Sequence, residues 1–485
     1  MTRRLKAMLR GLCLNALVLS IALRFAGAQK SSVQQPLPEA PAAQLFAMAT
    51  DEQDSGMASG NQPASQSQSN PGESGPPPSK LTRAQAEQMA IKNNPRVTVS
   101  HLLAMAQHQV VRESRSAELP TGTASLTAVD AQDGSRMSAG YLTASRLFEH
   151  AGAGGGFTQL ITDFGKTNSL VASAKLREKA QNANAVATEQ DITIATDQAF
   201  YDALQSQALY QVARQNVDTR QTTDSQISEL TKNKLKSLLD LSFADVNLSQ
   251  AKLLLLDAEN NLVASMASLD AVLGLDHEVK YELVDENGAT SAPPGDVEQL
   301  VQTGLQQRPD LQALDLDQQA AVKFSHAERD QMLPTITAAG TVGSVPIRPA
   351  QYYTSNWWGG IGVNVNIPVF NGFLYSAEAK EASIRAQAAS EQSRDLRDRI
   401  VRDIHTAWLS ANTAYQRMAV AQQLLKEANM GLQLAQTRYQ MGLSSIVELS
   451  QAQYQQTDAA IGNTNAEYQY RLALASLNYQ IGGTP

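Results

Sequence analysis

The sequence predicts a mixed α and β protein with an internal two-fold structural repeat, in which pairs of strands feed very long coiled-coil helices. Three observations predict it. Four landmarks recur in one order in the two halves of the chain; a run free of proline and glycine extends from Asn168 to about Lys232; and the stretch "WWGGIGVNVNIPVF" alternates apolar with small or polar residues. A repeat of this size accounts for a chain of 485 residues, longer than a usual single domain.

The N-terminal stretch "MTRRLKAMLRGLCLNALVLSIALRFAGAQ" has a basic start, an apolar run and a small-residue end at Ala26-Gly27-Ala28, the layout of a secretory signal cleaved before Gln29. Cys13, the single cysteine, lies within it, so a disulfide, thiolate metal site or cysteine nucleophile is not expected in the exported chain. Loss of Arg3, Arg4, Lys6, Arg10 and Arg24 takes the net charge from −8 to about −13, which disfavours nucleic acid as a partner. Residues 29–79 are rich in Ser, Gln, Pro and Gly and poor in large apolar side chains, the composition of a disordered leader. The expected organisation is a signal peptide at 1–28, the leader at 29–79, a first repeat at 80–274, a linker at 275–295 and a second repeat at 296–485.

Four landmarks define the repeat. Pro95 in "KNNPRV" and Pro309 in "QQRPDL" are 214 residues apart, as are Pro120 in "AELPT" and Pro334 in "QMLPT". Gly165 of "ITDFGKT" pairs with Gly372 of "PVFNGFL" at 207, and Gly274 of "LDAVLGL" with Gly482 of "LNYQIGG" at 208. In each copy a short helix breaks at the first proline and a second helix runs to Leu-Pro. A strand, a polar turn and a second strand then lead to the glycine corner.

The first corner contains both a DFG and the GKT that ends a phosphate-binding loop. Neither has its context. The glycine that should precede GKT by five positions is Leu160, and the glycine-rich loop, strand lysine and catalytic loop of a kinase are missing. The second copy has no lysine at its corner, so phosphate binding is not the common task.

In "WWGGIGVNVNIPVF" the residues Ile361, Val363, Val365, Ile367 and Val369 fall on one face, with Gly360, Gly362, Asn364 and Asn366 on the other. This length fits a strand crossing a bilayer, and Tyr352, Tyr353, Trp357 and Trp358 sit where a membrane strand carries an aromatic girdle. The same pattern fits a half-buried strand of a soluble sheet with the aromatics in its core. Beyond a break at Lys234 to Ser237, the residues Leu241, Ala244, Leu248, Ala251, Leu255, Ala258, Leu262, Ser265, Leu269 and Val272 form a sustained heptad with alanine at alternate positions. Such a seam suits a curved wall of closely spaced helices. Gln456 and Asn463 replace Leu248 and Leu255 in the second copy, which predicts a face that meets water there.

Taken in order, the paired Asn-Pro and Leu-Pro landmarks, the corners "QLITDFGKT" and "IPVFNGF", the hairpin tip "RYQMGLSSIVEL" and the terminal "LNYQIG" resemble the TolC-like outer-membrane efflux protein family over roughly residues 80–485. The resemblance implies a homotrimer that forms a 12-stranded transmembrane β-barrel, four strands per chain, continued by a long periplasmic α-helical coiled-coil barrel. Closure supports the trimer independently, because four strands cannot close a barrel and an open edge in lipid leaves backbone groups unpaired. The implied function is the outer-membrane exit duct of a tripartite efflux pump or type I secretion system. Its implied partners are a periplasmic adaptor (membrane fusion) protein, an inner-membrane efflux transporter or secretion ATPase, and outer-membrane lipid. By the same resemblance, Asp240, Tyr439, Gly442 and Glu448 belong to a periplasmic gate, with Asp240 and Tyr439 forming a latch and Glu448 a ring of three carboxylates. Ser444, Gln451 and Lys234 depart from the residues often found at these places, which implies a weaker gate with a smaller charge ring.

A catalytic constellation is not legible in the sequence, and neither is a cofactor motif. His101 and His108 share a helical face seven residues apart but lack a third ligand, so a metal site is not expected. The alternative to a duct is a non-channel periplasmic coiled-coil scaffold, which the heptads favour and the amphipathic strands oppose.

Overall fold

The computed structural model describes residues 79–130, 136–139, 142–146, 150–275, 281–285, 291–347 and 356–483. The expected signal peptide and all but the last residue of the expected leader lie outside these, as do Tyr352 and Tyr353. The chain begins with β1 (Ser79–Leu81), α1 (Arg83–Asn93), α2 (Pro95–Ser116), β2 (Thr121–Val129), the short β3 (Arg136–Ala139) and β4 (Leu142–Arg146), and β5 (His150–Thr162). The long helices α3 (Lys166–Lys232) and α4 (Leu238–Leu273) follow. After β6 (Tyr281–Leu283) come α5 (Val297–Gln307), α6 (Pro309–Asp330), β7 (Thr335–Ile347), β8 (Trp357–Asn366), α7 (Leu374–Gln440) and α8 (Ile446–Gln480).

The prolines act as expected. Asn94 ends α1 and caps α2, its side chain accepting from the Arg96 amide at 3.0 Å, and Pro95 and Pro309 sit in the first helical turn. Gly274 and Gly482 have φ of +70° and +74°, and both lie against such a break: an added Cβ would meet the Asn93 carbonyl at 3.0 Å in one case and the Arg308 nitrogen at 3.0 Å in the other. These glycines dock the ends of α4 and α8 onto the junctions α1–α2 and α5–α6.

The corners differ from expectation by one residue. Each uses two successive left-handed residues, Phe164 and Gly165 before α3 and Gly372 and Phe373 before α7. The helices start 208 residues apart, so Gly165 matches Phe373, and the counterpart of Lys166 is Leu374 rather than Phe373. The aspartate of DFG is a helix cap, since Asp163 accepts from the Thr167 amide at 2.7 Å and the Gly165 amide at 3.2 Å.

Both 67-residue helices, α3 and α7, would span about 100 Å at 1.5 Å per residue. Each folds back on a shorter helix, α3 on α4 and α7 on α8, and α3 also packs on α8. On the half of the long helices nearer the strands, the lateral order is α2, α3, α6, α7. The alanine seam is internal: Ala244, Ala251 and Ala258 of α4 and Ala459 and Ala466 of α8 are buried. Gln456 does not simply meet water as expected. It is half-buried and donates to Asn429 of α7 at 3.2 Å.

At the level where α1 joins the long helices, β1 pairs parallel with β6, and Ala86, Ala90, Phe200, Leu204, Leu269 and Leu273 close the largest core around them. Neither small strand was expected. Arg83 bridges Glu87 at 2.9 Å and buried Asp197 at 3.2 Å beside this core. Among the described residues no helix is long and apolar enough to cross a membrane.

Candidate functional site

Two regions carry chemistry, the four-stranded sheet and the tip where the helical hairpins turn. The sheet has the order β2-β5-β7-β8, antiparallel throughout. Its register sorts the side chains. Gly122, Phe157, Gly340 and Ile361 lie opposite one another across all four strands, so they share a face. Alternation adds Leu126, Val342, Trp357, Val363 and Val365 to that face. The other carries Thr123, Ser125, Thr127, Thr158, Thr337, Thr341, Asn364 and a set of glycines.

Among the described residues no buried core covers the sheet on either side. Its strands pack chiefly on one another, Ile361 is 81 % exposed and Trp357 is 68 % exposed. The reading as a soluble, half-buried sheet with aromatics inside therefore fails. Ile367 and Val369, expected to extend the strand, lie beyond its end at Asn366. The tryptophans expected as girdle residues separate, because neighbours in a strand point to opposite faces. Trp357 is on the apolar face, whereas Trp358 folds across Gly343, where a Cβ would lie 2.6 Å from its Cζ2.

The edges of every layer are open. Among the described residues β2 pairs only with β5 and β8 only with β7. In the upper helical layer α2 packs on α3 and α7 on α6, leaving Val99, Leu102, Leu103 and Met105 of α2 exposed. Lower down, α4 and α7 are outermost, with Leu253 and Leu256 of α4 and Val420 and Leu434 of α7 exposed.

At the tip, both hairpins turn by the same hydrogen-bond pattern. Leu235 N donates to Leu230 O (2.8 Å) and Lys234 N to Thr231 O (2.9 Å), while Leu443 N donates to Arg438 O (2.8 Å) and Gly442 N to Tyr439 O (3.1 Å). Gly442 and Lys234 occupy the equivalent left-handed position, with φ of +76° and +63°. Ile227, Ala244, Tyr439, Ile446 and Leu449 form a small core just behind the turns.

The structure brings Asp240 and Tyr439 near each other without the expected bond. The Asp240 carboxylate accepts from the Ser237 amide (3.2 Å), while the Ser237 hydroxyl accepts from the Asp240 amide (3.1 Å). This capping box occupies the acid on its own helix. The Tyr439 ring lies under Lys236, whose Nζ is 4.2 Å from its centroid, and its buried hydroxyl has no hydrogen-bond partner. Burial, reinforced by the Asp240 charge, pushes the Tyr439 hydroxyl pKa up. Glu448 is no free ring carboxylate either, since its Oε1 is 3.2 Å from Nε of Arg438.

Sequence reasoning missed Lys236, Arg438 and the buried pair Arg220 and Gln453 that joins α3 to α8. The last is invisible in sequence because its members are 233 residues apart. The two histidines do not face each other as ligands; His101 contacts Glu189 and His108 contacts Glu178, each at 2.7 Å, tying α2 to α3.

The sequence model of the family described as "Outer membrane efflux protein" matches residues 87–275 and 300–483. The chain is 24 % identical to the outer membrane protein TolC of Vibrio cholerae over 417 residues, which cover 82 % of this chain and 90 % of that protein. It is 24 % identical to TolC of Escherichia coli over 352 residues, 67 % of this chain and 69 % of the relative. Among solved structures, the outer membrane protein VceC from Vibrio cholerae superposes with a TM-score of 0.69 at 18 % identity, over 83 % of this chain and 96 % of that one. The Campylobacter jejuni CmeC outer membrane channel superposes with a TM-score of 0.72 at 16 % identity, over 83 % and 85 %.

The free hydroxyl of Tyr439 has a measurable consequence. Tyr439→Phe removes no protein hydrogen bond, so stability in denaturant should stay level or rise by up to about 1 kcal/mol. Tyr439→Ala should cost about 3–5 kcal/mol through the cavity it leaves. A loss above about 1 kcal/mol in the Phe variant would show that the hydroxyl is bonded, and the Asp240 latch would return.

Proposed function

This chain belongs to the outer membrane efflux protein family, and on that basis we propose that it is the exit duct of a tripartite efflux pump or type I secretion system. It is an outer-membrane protein with its helical part in the periplasm. Three copies would join edge to edge, β8 of one beside β2 of the next, to give a closed barrel of twelve strands. The same operation would set α7 against α2 in the upper helical layer and against α4 in the lower, continuing the duct into the periplasm.

One observation carries this reading. Among the described residues the outermost elements are open in all three layers, and α7 continues from β8 along the side that is open in each. A single added copy on that side would cover all three edges together. The sorted faces of the sheet add direction, with Leu126, Phe157, Ile361, Val363 and Val365 toward lipid and the Thr, Ser, Asn and Gly face toward water. The scaffold reading gives no account of a sheet exposed on both faces.

The helical tip would dock a periplasmic adaptor, which couples the duct to an inner-membrane transporter or secretion ATPase. Cargo would pass passively from the periplasmic side to the exterior. Residues 1–28 would serve as the export signal and 29–79 as a leader, with repeats at 80–274 and 296–485 joined by 275–295. The aperture would lie at Asp240, Tyr439, Gly442 and Glu448, with Arg438 tempering the charge of Glu448. No reaction is assigned, in keeping with relatives that are channel proteins.

Recording the purified protein in planar bilayers tests the duct. Val363→Arg, on the lipid face, should cost about 2–4 kcal/mol per copy if it lies near mid-bilayer and should abolish insertion. Asn364→Arg, one residue on, should insert and change conductance. Equal tolerance of both variants would contradict the assignment of faces.

Selectivity tests the aperture. Glu448→Gln should lower the cation-to-anion permeability ratio, and Arg438→Gln should raise it, both more strongly at low salt than at high salt. If neither variant moves the ratio, the aperture lies elsewhere and the duct reading stands without it.

A further inference from the structure

The hairpin turns carry a charge opposite to that of the chain. The full sequence has a net charge of −8, yet from Glu229 to Asp240 three lysines, Lys232, Lys234 and Lys236, stand against those two acids, and from Arg438 to Glu448 one cation stands against one acid. Each copy therefore carries a net charge of +1 across its two turns.

The geometry sharpens this difference, because the acids are engaged and two of the lysines are not. Glu229 is paired with Lys232 at 2.7 Å and Glu448 with Arg438 at 3.2 Å. The Asp240 carboxylate is drawn back onto its own helix, accepting from the Ser237 amide at 3.2 Å. Lys234 and Lys236 form no ion pair among the described residues. The Lys236 ammonium is held 4.2 Å from the centroid of the Tyr439 ring, a contact that fixes the position of the charge and does not neutralise it.

Lys234 stands out for a second reason. It is exposed and sits in the left-handed region with φ of +63°, at the position where the other hairpin has Gly442 with φ of +76°. That backbone favours glycine, so the first turn carries a strain that the second avoids. An exposed side chain at the apex of a turn returns nothing to packing, and its charge is what distinguishes it from the glycine. The strands add no opposing bias, since β2, β5, β7 and β8 contain no Asp, Glu, Lys or Arg.

We propose that the helical end of the duct is an anion-attracting entrance, with Lys234 and Lys236 setting the preference and small organic anions as the cargo class it favours. This inference rests on the duct reading and deepens it. Three copies would place six uncompensated ammonium groups around one opening, the arrangement by which basic side chains select anions. Rim charge acts over about a Debye length, roughly 10 Å at 0.1 M salt, so these side chains need not point into the opening to count.

The test is the reversal potential of the full-length protein in planar bilayers across a KCl gradient, first at low salt and then near 1 M. The wild-type protein should prefer chloride at low salt. Lys234→Gly and Lys236→Gln should each lower the chloride-to-potassium permeability ratio, and the double variant should lower it at least about twofold, with the effect shrinking near 1 M as the Debye length falls to roughly 3 Å. Citrate added on the helical side should interrupt the current at a lower concentration in the wild type than in the double variant. Lys234→Gly should fold, because it supplies the residue the backbone favours, and its denaturation midpoint should hold or rise. A change in midpoint with no change in permeability ratio would assign Lys234 to the turn alone and overturn its role. Cation preference in the wild type at low salt, or an unchanged ratio in the double variant, would overturn the entrance while leaving the duct standing. Equal sensitivity to citrate would overturn the cargo class, and a wild-type protein that conducts nothing would overturn the duct reading and this inference with it.

Discussion

The edge strands β2 and β8, each with a strand partner on one side only among the described residues, are the constraint on which the rest of this structure depends. Water can satisfy such an edge, but hydrocarbon cannot, and each unpaired N–H or C=O there costs several kcal/mol. A sheet of four strands with an apolar face has no way to close on itself. In the proposed duct, closure would come from further copies, and the positions of the open edges on the helices would follow from the same requirement. A rim of lipid-facing strands, as proposed, would also account for the lack of a core on the sheet among the described residues. In that arrangement its apolar face would meet lipid, and its other face, built from threonine, asparagine and glycine, would meet water.

The helical part answers a different demand. Two long helices per chain must leave the sheet at a fixed angle and stay parallel over a great distance, and the left-handed pairs Phe164–Gly165 and Gly372–Phe373 set that angle. Alanine in the seams keeps neighbouring helices close without a thick core, so the wall stays thin. Rigidity is concentrated where α1, β1 and β6 gather a conventional apolar core and buried ion pairs around the middle of α3. Farther from that core the chain depends on small clusters such as the one behind the turns, where polar groups are left without protein partners.

What was legible in the sequence was local or periodic. Pro95 and Pro309 break helices for steric reasons, the alanine seam of α4 follows a heptad, and the alternation from Ile361 to Val365 marks a strand with two unlike faces. A serine three residues before an acid, Ser237 and Asp240, is a capping-box signal that the assignment of Asp240 to a latch passed over. The rest depended on contacts distant in sequence. Arg220 meets Gln453, and Ser79 to Leu81 pair with Tyr281 to Leu283, with no local signal for either. Trp357 and Trp358 read as one aromatic pair until the pleat sends them to opposite faces. At the corners a glycine can take either of two left-handed positions, so matching Gly165 with Gly372 misplaced the counterpart of Lys166 by one residue.

The central claim is that the open edges of one chain are closed by two more copies and by no others. Cysteines introduced along β2 and β8, in a Cys13→Ser background that leaves no native thiol, would be scanned in pairs and oxidised in the full-length protein. The account predicts that matched pairs give a ladder of monomer, dimer and trimer that ends at trimer, with the fully linked species closed on itself. A ladder continuing past trimer, or no cross-link at any pair in a folded protein, would contradict it.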